Sequence, residues 1–116
     1  MERMMIVEDH SAFAQALRLV LGEGTQISLA RTLEEGRALI GAAEPFDVVV
    51  LDLSLPDGEG TELIPEIRHR HPRARVVILS AREDVGEAAS GAGADAAIPK
   101  ETPLPDIVSS LRRLAD

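Results

Sequence analysis

The patterning of this 116-residue chain predicts one α/β domain, a five-stranded parallel sheet wrapped by helices on both faces. Three observations predict it. Short β-branched runs and amphipathic helical patterns alternate five times, with no internal repeat, low-complexity tract or linker between them. The third strand run, Phe46-Asp47-Val48-Val49-Val50-Leu51, is almost continuously apolar, as strands buried on both faces are. The length suits one domain with a real core and is too short for two. Parallel neighbours then require right-handed crossovers.

The first strand is expected over about Arg3 to Glu8. Helix 1 follows from Ser11, a plausible N-cap, with Phe13, Ala16, Leu17, Val20 and Leu21 on one face, and Gly22 and Gly24 end it. Strand 2 spans about Gln26 to Ala30. Helix 2 starts near Thr32, where Glu35 three residues on completes a capping box, continues through Leu39 and Ile40, and stops before Pro45. Strand 3 is the Phe46 to Leu51 run. Helix 3 starts near Gly60-Thr61 and presents Leu63, Ile64 and Ile67; Pro65 lies early enough to be tolerated, and His71-Pro72 ends it. Strand 4 is Ala74 to Leu79. Helix 4 lies within Asp84 to Ala92, where Gly86, Ser90 and Gly91 make it a poor helix former. Strand 5 is about Asp95 to Ile98, and helix 5 opens after Pro103 and Pro105 with Ile107, Val108, Leu111 and Leu114 inward.

Composition narrows the function. With 20 acidic residues against 12 Lys and Arg, the formal charge is −8, which argues against direct nucleic-acid binding; no basic stripe is read. The absence of cysteine excludes disulfides and thiolate metal sites. No run is long enough for a membrane span or signal peptide, so the expected location is cytoplasmic. Phe13 and Phe46 are the only aromatics, which leaves the core to aliphatic side chains.

Chemistry gathers at the strand ends, the edge that hosts ligands in open α/β sheets. Glu8 and Asp9 close strand 1, Asp52 closes strand 3, Ser80 closes strand 4 and Lys100 follows strand 5. Acids after strands are often loop solvation or helix caps, so the combination carries the inference. Clustered carboxylates repel unless a cation offsets them, and hard oxygen donors without cysteine indicate Mg²⁺ or Mn²⁺. Asp52 is the candidate nucleophile, since a carboxylate can accept a phosphoryl group as an aspartyl phosphate. Lys100 would pair with one phosphoryl oxygen and the Ser80 hydroxyl would donate to another. His10 reads as a rim residue, and His69 and His71 as solvated positions at a helix end.

Three segments, Met5-Ile6-Val7-Glu8-Asp9-His10, Asp52-Leu53-Ser54-Leu55-Pro56-Asp57-Gly58 and Gly93-Ala94-Asp95-Ala96-Ala97-Ile98-Pro99-Lys100, resemble the receiver domain of two-component response regulators, over the whole chain, 1–116. In motif the chain is most similar to the NarL/LuxR class. The resemblance implies a flavodoxin-like (βα)5 fold with strand order 2-1-3-4-5. It implies Asp52 as phosphoacceptor and Glu8 and Asp9 as the acidic pocket, Asp9 being the more direct Mg²⁺ ligand beside Asp52 and the Ser54 backbone carbonyl. Ser80 becomes the switch hydroxyl, Lys100 the phosphate-binding lysine and Ala81 the small residue that leaves the phosphoryl group accessible. Pro56 and Gly58 match the family's turn after the phosphoacceptor.

Two departures stand out. Ala97 occupies the place of an aromatic that turns inward on activation, and Pro99 precedes Lys100 where the family usually has lysine then proline. The expected partner is a sensor histidine kinase, with homodimerisation possible through helix 4, strand 5 and helix 5 and no membrane contact. Transcription regulation is the expected output, through a helix-turn-helix domain outside these residues. Without an aromatic at Ala97, the signal is expected to pass through Ser80-Ala81-Arg82 and the glycine-containing helix 4. No turnover of an external substrate is expected, only self-phosphorylation and slow autodephosphorylation. One alternative is a degenerate receiver that serves as a phosphorylation-independent binding module. Another, a haloacid-dehalogenase-type phosphatase, needs a second aspartate where Ser54 stands.

Overall fold

The computed structural model describes residues 2–42 and 44–116. Strands β1 (Glu2–Val7), β2 (Thr25–Ala30), β3 (Val48–Leu51), β4 (Arg75–Ser80) and β5 (Ala96–Pro99) form one parallel sheet in the order β2-β1-β3-β4-β5. Helices α1 (Ser11–Leu21), α2 (Leu33–Ala42), α3 (Ile64–Arg70), α4 (Val85–Ala92) and α5 (Leu104–Ala115) complete it. A two-residue hairpin, Ser54–Leu55 against Gly58–Glu59, and a 3-10 turn, Gly60–Leu63, lead from β3 into α3. This is the architecture expected from the sequence pattern, with the strand order the receiver-domain resemblance implies.

Strand alternation builds a core on each face of the sheet. Met5, Val7, Val49, Leu51, Val76 and Ile78 pack with Leu33, Ile40, Ile64, Ile67, Val85 and Ala89 of α2, α3 and α4. Met4, Ile6, Val48, Val50, Val77 and Leu79 pack with Leu17 and Leu21 of α1 and Ile107, Val108 and Leu111 of α5. The buried residues of both layers are aliphatic apart from Phe46, and Phe13 packs half-buried against the α1 and α5 side.

Local details differ from the sequence reading. Ser11 is the first helical residue of α1; its N-cap is His10, which makes no side-chain capping bond. At α2 the Thr32 hydroxyl accepts from the Glu35 N–H as expected, but the Glu35 carboxylate accepts from the Arg31 N–H, one residue upstream of a true box. The remaining N-terminal donors of α2, Leu33 N and Glu34 N, are satisfied by the Asp57 carboxylate from the loop after β3, at 2.8 and 3.1 Å. Those bonds, the Leu33 one foremost, hold the Asp57 carboxyl below the usual carboxylate range. Helix 3 begins as the 3-10 turn, and its α portion starts only at Ile64.

His71 is a correction. Expected in solvent, it is 3 % exposed and packs 5.3 Å from the Phe46 ring. Its Nε2 donates to the Ile40 carbonyl at 2.9 Å, and its Nδ1 accepts from the Phe46 N–H at 3.4 Å. The ring therefore joins the C-terminal end of α2 to the entry of β3. His71→Ala would remove that packing and leave two buried backbone groups unpaired. An expected loss of about 2–4 kcal/mol follows, to be read from urea unfolding.

The reading of no basic stripe also needs correction, because residues 68–75 carry four arginines and two histidines. Part of that charge is engaged internally. Arg68 donates to the carbonyls of Ala74 and Gly93 and to Asp95 Oδ2, while Arg75 stands 4.0 Å from Asp95 Oδ1. Burial alone would raise the Asp95 carboxyl; the Val76 N–H and Arg68 outweigh it and hold it low.

Candidate functional site

Register brings the site together. Val7 pairs with Leu51, so the next residues, Glu8 and Asp52, emerge side by side, and the Asp52 N–H donates to the Val7 carbonyl at 3.0 Å. Ser80 pairs with Pro99, which places Lys100 just beyond the end of β4; the Lys100 N–H donates to the Ser80 carbonyl at 3.0 Å. Parallel strands all end on the same edge, and so four of them deliver polar residues to one place.

Lys100 Nζ lies 3.0 Å from Asp52 Oδ2 and 2.6 Å from Glu8 Oε1, and 5.1 Å from the centroid of the Phe13 ring. Glu8 Oε2 accepts from the His10 N–H at 3.0 Å and from His10 Nδ1 at 3.1 Å. Both Glu8 oxygens are thus engaged by protein donors. Burial holds the Glu8 carboxyl above its usual range, with the Lys100 hydrogen bond offsetting part of that rise. Burial would lower the Lys100 ammonium, but its bonds to Glu8 and Asp52 outweigh that and raise it.

Asp52 is 4 % exposed, and its Oδ1 takes only a long bond, 3.3 Å, from the Ser54 N–H. Asp9 Oδ1 is buried without a hydrogen-bond partner among the described residues; His10 Nδ1 stands 3.4 Å away but is already engaged with Glu8. An orphaned buried carboxylate oxygen is costly unless a cation meets it. One potential ligand atom from each of Glu8, Asp9, His10 and Asp52 lies within 4.8 Å of the others. The donor set is mostly hard oxygen; Asp9 Oδ1 is unpartnered and Asp52 Oδ1 takes only the long bond from Ser54. These residues fit a divalent metal such as Mg²⁺.

A cleft of about 220 Å³ opens over Asp52, lined by His10, Ser54, Ser80, Ala81, Arg82 and Lys100. The Ser80 side chain is 2 % exposed, and its Oγ accepts from the Arg82 N–H at 3.3 Å. Ala81 is exposed and leaves the cleft open above Ser80. His10 is exposed at the rim, as expected. Gly58 has φ +148°, a backbone state favouring glycine, which agrees with its expected turn role. Ala97 is half-buried and packs with the α4-side core, offering no ring to move.

Three features went unread in the sequence. Gly60 sits so close to Asp52 that an added Cβ would collide with the Asp52 carbonyl oxygen. Asp57 looks like a turn residue, and nothing local signals that it caps a helix 24 residues earlier. Arg82 is two residues after the expected switch serine, but its partners Glu59 and Asp84 become visible only in the fold.

Comparison with known proteins identifies the family. The family model described as response regulator receiver domain matches residues 4–112. The KDP operon transcriptional regulatory protein KdpE of Escherichia coli K12 is 36% identical over 115 residues, 97% of this chain and 50% of the relative. The chain thus spans about half the length of that relative. Among solved structures, a CheY-like receiver domain protein from Methanospirillum hungatei JF-1 superposes with TM-score 0.89 at 29% identity, covering 100% of this chain and 94% of the other. A Burkholderia pseudomallei response regulator solved with a phosphorylated aspartic acid, calcium ion and citrate gives TM-score 0.84 at 27% identity, over 99% of this chain and 69% of that one. Family model, relatives and fold agree with one another: this chain belongs to the response regulator receiver domains of two-component signalling.

Proposed function

We propose that the chain accepts a phosphoryl group on Asp52 from a sensor histidine kinase in the cytoplasm and, in response, alters the surface of α4, β5 and α5. The observation that carries this reading is the buried Asp52 carboxylate, paired with Lys100 at 3.0 Å beside the unpartnered Asp9 oxygen. In the transfer, an Asp52 oxygen attacks phosphorus in line, the P–N bond to the kinase histidine breaks, and the imidazole leaves. Lys100 and the Ser80 hydroxyl neutralise and orient phosphoryl oxygens. Asp9, Asp52 and the Ser54 carbonyl would hold Mg²⁺, which supplies charge neutralisation when bound. Water later cleaves the acyl phosphate slowly, returning the Asp52 carboxylate and inorganic phosphate.

Transcription regulation is the output that suits the half-length match to a transcriptional regulatory protein, through a DNA-binding region outside these residues. Dimerisation through the α4, β5 and α5 face would carry the signal there.

Intact-mass analysis after incubation with acetyl phosphate tests the assignment. One phosphate is expected with Mg²⁺ and none with a chelator, and peptide mapping should place it on Asp52. No uptake, or a phosphate mapped elsewhere, overturns the reading. Lys100→Ala should slow uptake by about 10²–10³-fold, the usual effect of losing one charge-stabilising donor, in the same mass assay followed over time.

A further inference from the structure

We propose that Arg82 is a second phosphoryl-binding cation, held in reserve by Glu59 and Asp84, and that its move to a phosphorylated Asp52 frees Asp84 to cap α4. The inference rests on Asp52 being the phosphoacceptor and extends that reading to the route by which the signal leaves the site.

Each guanidinium nitrogen makes one hydrogen bond at present. Nε and Nη2 grip the Asp84 carboxylate at 3.0 and 2.7 Å, and Nη1 reaches Glu59 Oε1 at 2.9 Å. Glu59 belongs to the hairpin that follows Asp52, where it pairs with Ser54. Arg82 therefore ties that hairpin to the entrance of α4. All three side chains are substantially exposed, at 38 %, 45 % and 55 % for Arg82, Asp84 and Glu59. Ion pairs so open to water contribute little net and exchange partners readily.

A better partner would arise inside the same cleft, which Arg82 lines together with Asp52, Ser80 and Lys100. A phosphoryl group brings charge and acceptor oxygens into a pocket that already holds Glu8 and Asp9. Its single ammonium, Lys100, is shared with Glu8. A guanidinium fork matches phosphoryl oxygens in geometry and charge. Ala81, between Ser80 and Arg82 on the cleft wall, carries only a methyl group.

The far end of the tie gives the move a consequence. Asp84 is the N-cap residue of α4, yet it makes no side-chain capping bond. Aspartate is among the best N-caps, and here its carboxylate is diverted to Arg82. Release of that carboxylate would let it accept from the Gly86 or Glu87 N–H, tightening the start of a glycine-containing helix. Ala97 packs on the same side of the sheet as Val85 and Ala89 of α4, and it has no ring to relay the signal. The exchange of partners supplies a relay in its stead.

Titration calorimetry of the whole chain with Mg²⁺ and beryllium fluoride, a phosphoryl analogue, tests the proposal. Arg82→Ala should weaken binding about tenfold, the worth of a charge-assisted hydrogen bond. Glu59→Gln and Asp84→Asn should each strengthen it, because they remove the competitors. A merely structural Arg82 would make all three variants weaken together, and that outcome overturns the proposal, as does wild-type affinity in Arg82→Ala. Amide exchange supplies the second readout: loading should slow exchange at Gly86 and Glu87 in the wild type but not in Arg82→Ala, and unchanged exchange in the wild type overturns the capping step. Binding that survives Asp52→Asn overturns the Asp52 assignment, and this inference with it. Binding that needs Asp52 but ignores Arg82 overturns this inference alone.

Discussion

Asp52→Asn is expected to take up no phosphate under conditions in which the wild type gains one, a complete loss in the intact-mass assay. The amide has no anionic oxygen to attack phosphorus, and the adjacent Glu8 carboxylate is not free to replace it. Glu8 has both oxygens engaged, by Lys100 at 2.6 Å and by His10 at 3.0 and 3.1 Å. The protein should nonetheless stay folded. The new amide oxygen would still accept from Lys100, and one like charge would leave a cluster of three carboxylates. Divalent-metal affinity should fall with that charge, so calorimetry with Mg²⁺ alone separates loss of the nucleophile from loss of the fold. Phosphate uptake retained by a folded Asp52→Asn variant would remove Asp52 from its role.

Gly60→Ala is expected to be the most destabilising conservative change near the site. The added methyl would meet the Asp52 carbonyl oxygen and carbon as well as Leu51 Cβ. Two of these are backbone atoms held by the sheet, since the Asp52 N–H is bonded to the Val7 carbonyl at 3.0 Å. Overpacking commonly costs about 1–3 kcal/mol, and an obstacle that cannot rotate away puts this case at or above about 3 kcal/mol. Gly60 itself donates to the Leu53 carbonyl at 3.0 Å, so the clash strains the turn that sets the direction of the Asp52 side chain. Urea unfolding should show the loss of stability. Phosphate uptake should fall with it, even at temperatures where the variant remains folded. A variant as stable and as reactive as the wild type would contradict this packing.

The site was legible to the degree that it is written in strand ends. Glu8, Asp9, Asp52, Ser80 and Lys100 each terminate or follow an apolar run, and parallel strands carry their C-terminal ends to one edge. Alternation of core residues was equally readable, because side chains of a strand point in turn to each face. His71 was misread for a related reason. Its position after a helix end resembles a solvated one, and only the approach of α2 and Phe46 gives its ring two backbone partners.

Asp57 shows the same limit from the other side. Leu55-Pro56-Asp57-Gly58 is written as a turn, and turns are local. The two N–H groups that its carboxylate satisfies belong to a helix that precedes it in the chain by more than twenty residues. Arg82 between Glu59 and Asp84, and the orphaned oxygen of Asp9, are likewise products of separate segments meeting.

What the sequence determined by itself was periodicity and chemical type: which segments become strands, which faces are apolar, and which reactive groups stand where strands stop. Those properties depend on neighbours within a few positions along the chain. The tertiary structure alone decided which carboxylate oxygens are engaged and which stay free, which glycine lies against Asp52, and which arginine spans the cleft. Hydrogen bonds and steric contacts act over about 3 Å, and distances that short between distant segments exist only once the sheet and helices have packed.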